Sequence, residues 1–409
     1  MTELTGPLDG YRVIELAQWV FVPSATAILA ELGADVIRIE HPVQGDPYRA
    51  LTTSGYGNSG GLLHARSAQV NHGKRSIGVD LATPAGRAVA HRLVEDADAF
   101  VTSLRAAALG RLGLLPDDLR AINSELVYAR GDAFGPKGSG SGAPGYDITA
   151  FWARGGVGDL LTEPEAENVV RQPPSFGDRI ASLGLGLGII AALLQRERGG
   201  GAREVTASLM GAAAWVTASD LVSLPAGEDT AGEQPPVATR PSAADIPLTG
   251  SYRCADGRFL MINFMQSDRY FAEFAAIIGA GWLAADRRFE DHAARGRHGK
   301  ELRAELQALI GRRTLAQWRE LLASFDGPWA PVQNAREFRG DPQVVANGFL
   351  REVTDGDGLQ LVRAPVTVGE VPEKLPRSPE LGEHTETVLL ELGWTWDEIE
   401  ELKGAGAII

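Results

Sequence analysis

The sequence predicts an α/β protein: a large domain on a parallel sheet, joined to a smaller α+β domain. Three observations carry this. Short β-branched runs alternate with apolar helical runs as far as about residue 210, the pattern of parallel β-α-β units covered on both faces. Composition then shifts at 224–247, where Pro225–Asp229 and Glu233–Val237 read as an exposed linker. Beyond the linker, a hairpin pattern centred on Asp256-Gly257 opens a different order of strands and helices.

Taken in order, Tyr11–Leu16 reads as a strand, Pro23–Leu32 as a helix opened by proline, and Asp35–Ile39 as the next strand. Thr83 is a cap with Pro84 at the first helical position, and that helix runs to about Val94. Ala99–Thr102 and Leu126–Arg130 are strands, and the Gly-, Ser- and Pro-rich stretch 132–145 is a loop. Helices over 146–156 and 179–196 follow, then strand Glu204–Ser208 and a helix near 209–222. The hairpin pairs Gly250–Cys254 with Arg258–Asn263, ahead of helices near 267–278 and 298–311. Thr314 with Gln317, and Thr395 with Glu398, have capping-box spacing. The domain division predicted is 1–224, then 225–328 for linker and small domain, then 329–409.

The chain has 409 residues, 44% hydrophobic and 22% charged, which is ordinary for a globular protein of two to three domains. A net charge of −14 argues against a nucleic-acid partner, so an anionic ligand needs a local basic pocket. The single cysteine, Cys254, leaves no intrachain disulfide and no Cys-rich metal site, and fits a reducing cytoplasm. No His/Asp/Glu group has metal-ligand spacing. Met1–Gly6 lacks the basic and apolar regions of a secretory signal, and the apolar run 183–194 is too short to span a bilayer, so no membrane partner is expected.

The most informative stretch is Ser175-Phe176-Gly177-Asp178, which heads a long apolar run studded with glycine. A carboxylate there is a natural helix N-cap. The positive helix end also favours its ionised form, so Asp178 can serve as a nucleophile. Gly145-Tyr146-Asp147 opens another helix, and Asp147 is a second residue that can cap or take part in acid–base chemistry. Lys74 and Arg75 follow a glycine turn in Asn71–Ser76 and read either as phosphate contacts or as a solvated turn. Arg38 ends a strand, where ligands of open α/β sheets gather; an ion pair with Glu40 or Asp46 is the other reading. Gly184, Gly186 and Gly188 are poor helix formers and suggest close backbone packing. No Gly-x-Ser-x-Gly elbow is present, and no Gly-x-Gly-x-x-Gly follows the first strand despite the Rossmann-like order.

In their order and spacing, these pieces resemble the family III CoA-transferases, the formyl-CoA transferase and carnitine CoA-transferase group that also includes α-methylacyl-CoA racemase. The resemblance runs through Pro7–Glu15, Leu32–Glu40 with Gly45-Asp46, Lys74–Asp80, Leu109–Gly113 and Pro144–Asp147. It continues through Phe176–Asp178, Ala202–Ser208 and Leu381–Thr385. It implies that Asp178 is the nucleophile, with backbone N–H groups of the helix start as oxyanion donors. It implies that CoA, the only cofactor-like group, arrives as acyl-CoA with a carboxylic acid as the second substrate and no metal. Arg38, Lys74, Arg75 and Arg111 are the expected CoA contacts along one groove, Arg111 from the Leu-x-Arg-x-Gly piece. An interlocked homodimer is implied too, its large domain taking the N-terminal part and the C-terminal tail. The alternatives are an α-methylacyl-CoA racemase using Asp147, whose expected His partner is missing between His91 and His292, and a non-catalytic CoA-binding subunit. The sequence departs from the family at Val20, across Thr102–Leu109, and between 224 and 260.

Overall fold

The computed structural model describes residues 6–50, 60–163, 166–224 and 246–409, without the side chains of 50 and 60–64. The chain divides into two compact units, Met1–Ala226 with Val345–Ile409, and Gly227–Val344. The return to the first unit, expected at 329, falls at 345. The reason is that Trp329–Pro331 forms the third strand of the small sheet.

The large unit is built on six parallel strands: β1 (Arg12–Leu16), β2 (Asp35–Glu40), β3 (Arg75–Gly78), β4 (Ala99–Thr102), β5 (Val127–Asp132) and β6 (Glu204–Ser208). Their spatial order is β3-β2-β1-β4-β5-β6. The direction of winding reverses between β1 and β4. In open α/β sheets, ligands bind beyond the carboxyl ends of the strands at that point.

Helices cover both faces. They are α1 (Phe21–Glu31), α2 (Gly60–Asn71), α3 (Pro84–Glu95), α4 (Ala106–Leu112), α5 (Pro116–Ile122), α6 (Val157–Leu161), α7 (Phe176–Gln195), α8 (Leu209–Val216) and α9 (Ala218–Val222). On one face, α1, α7 and α8 bury Val22, Leu29, Leu185, Ile189 and Ala213 against Val13, Val101 and Ala129. On the other, α3, α4 and α5 pack with the C-terminal helices Thr385–Glu391 and Trp396–Gly404 over Ile14, Ile37, Ile77 and Phe100. The tail is fastened there by a bridge between Val79 and Ile408. Thr83 caps α3 by accepting from the Gly86 N–H at 2.9 Å, with Pro84 at its first position.

The small unit holds the antiparallel strands β7 (Thr249–Arg253), β8 (Phe259–Asn263) and β9 (Trp329–Pro331). Gly257 turns the β7–β8 hairpin at a φ of 76°, a left-handed value that glycine reaches without strain. Phe264, Phe271, Phe274 and Trp318 fill its core. A short hairpin in the large unit, β10 (Leu350–Glu352) with β11 (Gln360–Val362), completes the strands.

Helix α7 differs from expectation in two ways. It starts at Phe176, so Asp178 is its third residue and Ser175 takes the N-cap position. Its helical span, Phe176–Gly200, contains an 18-residue stretch with a mean hydropathy of 1.5, long and apolar enough to cross a bilayer by length and composition alone, unlike the 183–194 run considered by itself. Packing on α1 and β6 accounts for much of that apolar character. Of the three glycines, only Gly188 is tightly packed: an added Cβ would lie 2.6 Å from Val205, while Gly184 faces open space.

Candidate active site

Asp178 sits in the first turn of α7, partly buried. Its carboxylate receives no hydrogen bond among the described residues and faces a cavity of about 710 Å3. Three segments at and just beyond the carboxyl ends of β1, β4 and β5 wall the cavity: Gln18–Phe21, Ser103–Ala106 and Arg130–Phe134. These are the carboxyl ends flanking the reversal in strand order. The 141–148 loop, Arg171–Ser175, Tyr48, Arg66 and Leu209 close the remainder. The volume lies within the usual range for small-molecule sites.

The cap expected of Asp178 is supplied by Asp147 from 31 positions upstream. Both Asp147 oxygens lie 3.1 Å from the Gly177 N–H. Asp147 is buried ahead of a π-helical turn, Ile148–Ala153, a geometry frequent at functional sites. Gly177 is required by this approach. A Cβ there would stand 2.3 Å from both Asp147 Oδ1 and Phe151 Cγ. The first-turn donors of α7 are therefore engaged: Gly177 with Asp147, Phe176 with the Pro173 carbonyl, and Arg179 with the Ser175 carbonyl. This corrects the expectation that those N–H groups stand ready for an oxyanion.

Burial raises the cost of ionising both carboxyls. Burial pushes Asp178 up to about 7, with the charge of Asp147 adding to it and Arg179 opposing. Burial likewise raises Asp147, against hydrogen bonds from Gln172 and the backbone of 177–178. Arg179 donates to Ser24 Oγ at 3.0 Å. Tyr48, buried on the cavity wall, adjoins Ser175, Arg179 and Arg66, and burial raises its hydroxyl. A carboxyl poised near neutrality, unengaged and open to a cavity, has the properties of a nucleophile or an acid–base group.

The four expected CoA contacts are not brought together, and none lines the cavity. Arg38 is fully buried, ion-paired with Asp46 and flanked by Glu15 at 3.4 Å and Glu40 at 3.7 Å. Lys74 is buried against Glu15 at 2.6 Å, and desolvation lowers it to about 8. Arg75 opens β3, a strand the glycine-turn reading missed, and is held by Asp35 and Glu391 at 2.6 and 2.7 Å. These side chains are occupied by carboxylates, so the ion-pair reading holds for Arg38, while Lys74 and Arg75 are neither in the cavity nor in a solvated turn. Arg111 is exposed on α4, one turn beyond Ala108 of the cavity wall. The cations that line the cavity are Arg66, Arg105, Arg130 and Arg171, none of which the sequence reading singled out. A signal existed for Arg130, at the end of a predicted strand, and for Arg105, inside the divergent 102–109 run. Among the described residues no group of three His, Cys, Asp or Glu side chains could hold a metal.

Residues 8–385 match the profile of CoA-transferase family III. The chain is a family III CoA-transferase. Among its relatives, the (R)-2-hydroxy-4-methylpentanoate CoA-transferase of Clostridioides difficile is 28% identical over 404 residues, covering 98% of this chain and 99% of the relative. The succinate–glutarate CoA-transferase of Agrobacterium fabrum is 33% identical over 404 residues, covering 94% and 96%. A solved CaiB/BaiF family protein from Brucella suis superposes with a TM-score of 0.77 at 29% identity, covering 95% of this chain and 99% of that one. The family III CoA-transferase fold thus provides a mixed α/β scaffold whose switch point carries the Asp178 cavity.

Proposed function

We propose that this enzyme moves CoA from an acyl-CoA to a carboxylic acid, with Asp178 as a covalent nucleophile. The observation that carries the reading is the Asp178 carboxyl, unengaged by any described donor, open to the cavity and titrating near neutrality. An ionised Asp178 oxygen attacks the thioester carbonyl. The C–S bond breaks, the CoA thiolate leaves, and a mixed anhydride remains. The thiolate then attacks the aspartyl carbonyl, the C–O bond breaks, and the donor's acid departs, leaving an aspartyl-CoA thioester. The acceptor carboxylate attacks that thioester, expelling the thiolate and forming a second anhydride. Attack of the thiolate on the acceptor's acyl carbon gives the new acyl-CoA and restores Asp178. Each cycle exchanges one thioester for another, so no energy source is consumed.

Asp147 supports this scheme as the group that fixes the α7 start and whose charge adds to the burial that keeps Asp178 partly protonated. Arg105 and Arg171, exposed at the cavity wall, and Arg111 beside it, are the cations proposed to meet the CoA phosphates. An apolar face supports a homodimer: Leu183, Leu187 and Leu194 share one side of α7 and are 45%, 69% and 49% exposed, and Trp215 and Val222 are more than four-fifths exposed. The buried free Cys254 supports a reducing compartment.

The test is steady-state transfer from a panel of acyl-CoAs to a panel of carboxylic acids. Parallel double-reciprocal lines, and loss of turnover in Asp178→Asn with the fold retained, support the reading. Turnover of wild-type magnitude in Asp178→Asn removes Asp178 from the chemistry.

A further inference from the structure

We propose that Trp19 decides which acyl groups the cavity accepts, admitting short chains and excluding long ones, and that Asp46 is a positioning residue acting through it. The inference rests on the CoA-transfer reading above.

Trp19 stands in the turn between β1 and α1, on the cavity wall. Its backbone is left-handed, with a φ of 70°. That conformation is a genuine outlier for a bulky side chain and persists only where the surroundings impose it. Here they do. The Trp19 N–H donates to both oxygens of Asp46 at 3.2 Å. The same carboxylate accepts from the Tyr48 N–H at 2.8 Å. Asp46 is itself ion-paired with the buried Arg38, which also donates to the Ala17 carbonyl at 3.2 Å. One guanidinium–carboxylate pair therefore fastens the turn on both sides of Gln18. The Gln18 N–H is tied in addition to Ser103 Oγ at 3.0 Å.

The held ring completes an aromatic wall. Trp19 meets Tyr146 edge-on, with centroids 5.6 Å apart and planes at 87°, and lies 6.4 Å from Tyr48. Tyr146 precedes Asp147, and Tyr48 adjoins Ser175 and Asp178. All three rings line the cavity that contains the nucleophile. Val20, Tyr48 and Val70 pack as one buried cluster with Trp19 against it. An acyl chain that presses on Trp19 meets a residue whose backbone has no slack, because the bonds from Asp46 and Ser103 would have to break. This gives the Arg38–Asp46 pair a role in shaping the substrate chamber in place of the phosphate contact expected of Arg38.

The test is a chain-length series from acetyl- to octanoyl-CoA on wild type, Trp19→Gly, Trp19→Asn and Asp46→Asn. Glycine and asparagine both accept the left-handed backbone, so the turn can survive loss of the ring, and the second variant serves if the first does not fold. The wild type is expected to favour short chains. Both Trp19 variants are expected to raise the octanoyl-to-acetyl ratio of kcat/KM by about tenfold or more, the scale on which an apolar pocket discriminates size. Asp46→Asn is expected to shift the ratio in the same direction and by less, a change that a purely structural role would not give. Affinities of unreactive dethia-CoA analogues of the same chain lengths should follow the same ratios, so failure of the transfer chemistry is read separately from failure of the wall. Ratios unchanged from wild type in both Trp19 variants, or equal loss for every chain length, overturn the proposal. An unchanged ratio in Asp46→Asn overturns the part given to Asp46.

Discussion

Replacing Asp147 by asparagine is expected to move the acidic limb of the pH–rate profile downward by on the order of one unit. The substitution keeps the shape of the side chain and an oxygen to accept the Gly177 N–H, and removes one negative charge. Asp178 titrates at about 7, some three units above an ordinary aspartate, with burial the larger cause and the Asp147 charge the second. Burial is untouched by the change, so less than half of the displacement should be lost. With an apparent value near 7, about a tenth of Asp178 is ionised at pH 6; with a value near 6, about half is. The variant should thus gain about fivefold in kcat/KM relative to its own plateau at pH 6, approaching about tenfold at pH 5, and above pH 8 almost nothing. The assay is kcat/KM for acyl-CoA from pH 5 to 9, which reports groups of the free enzyme. An acidic limb that stays in place, or moves upward, refutes the electrostatic coupling of the two carboxyls.

Other consequences follow from the same geometry. Asp178 keeps its proton in the folded state between about pH 4 and 7 but loses it in the unfolded chain, so stability falls as pH rises through that window. Asp178→Asn should therefore be more stable than wild type at pH 8, by at most about 4 kcal/mol of unfolding free energy less what solvent screening removes, and level with it near pH 4; calorimetry at the two pH values checks this. Gly177→Ala forces a Cβ into Asp147 and Phe151, and should cost about 100-fold in kcat by displacing Asp178, with a lowered Tm. Arg38→Met leaves Glu15, Glu40 and Asp46 short of a partner, and should destabilise the large unit by about 3–5 kcal/mol in denaturant titration. Arg75→Gln breaks a partly exposed pair, and should leave KM for acyl-CoA within about twofold and stability within about 1 kcal/mol.

The parallel strands were legible because β-branched runs such as Asp35–Ile39 and Ala99–Thr102 are buried on both faces and so nearly continuously apolar. Strand β3 was not. It is four residues long, and Asn71–Arg75 just before it has the polar, glycine-bearing composition of a turn. The cap on α7 was misassigned because the local signal at Asp178 is real, while the competing donor set is spent on Asp147, distant in sequence and near in space. Arg38 shows the opposite situation. Its ion pair with Asp46 was visible eight residues away, but nothing in the sequence shows that the guanidinium is closed off from solvent. The cavity cations come from four separate segments, and only the sheet order brings Arg105 and Arg130 to one rim. The left-handed backbone of Trp19 had no sequence signal, since the residue that imposes it is Asp46.

The central claim is that Asp178 carries CoA covalently during transfer. The most direct measurement is mass spectrometry of the protein mixed with acyl-CoA in the absence of an acceptor acid, followed by peptide mapping. The account predicts an adduct of CoA less one water on the peptide containing Asp178, stoichiometric release of the donor's free acid, discharge on adding an acceptor carboxylate, and none of these in Asp178→Asn. Transfer at full rate with no adduct on any aspartate, or an adduct on Asp147 that persists in Asp178→Asn, would contradict it.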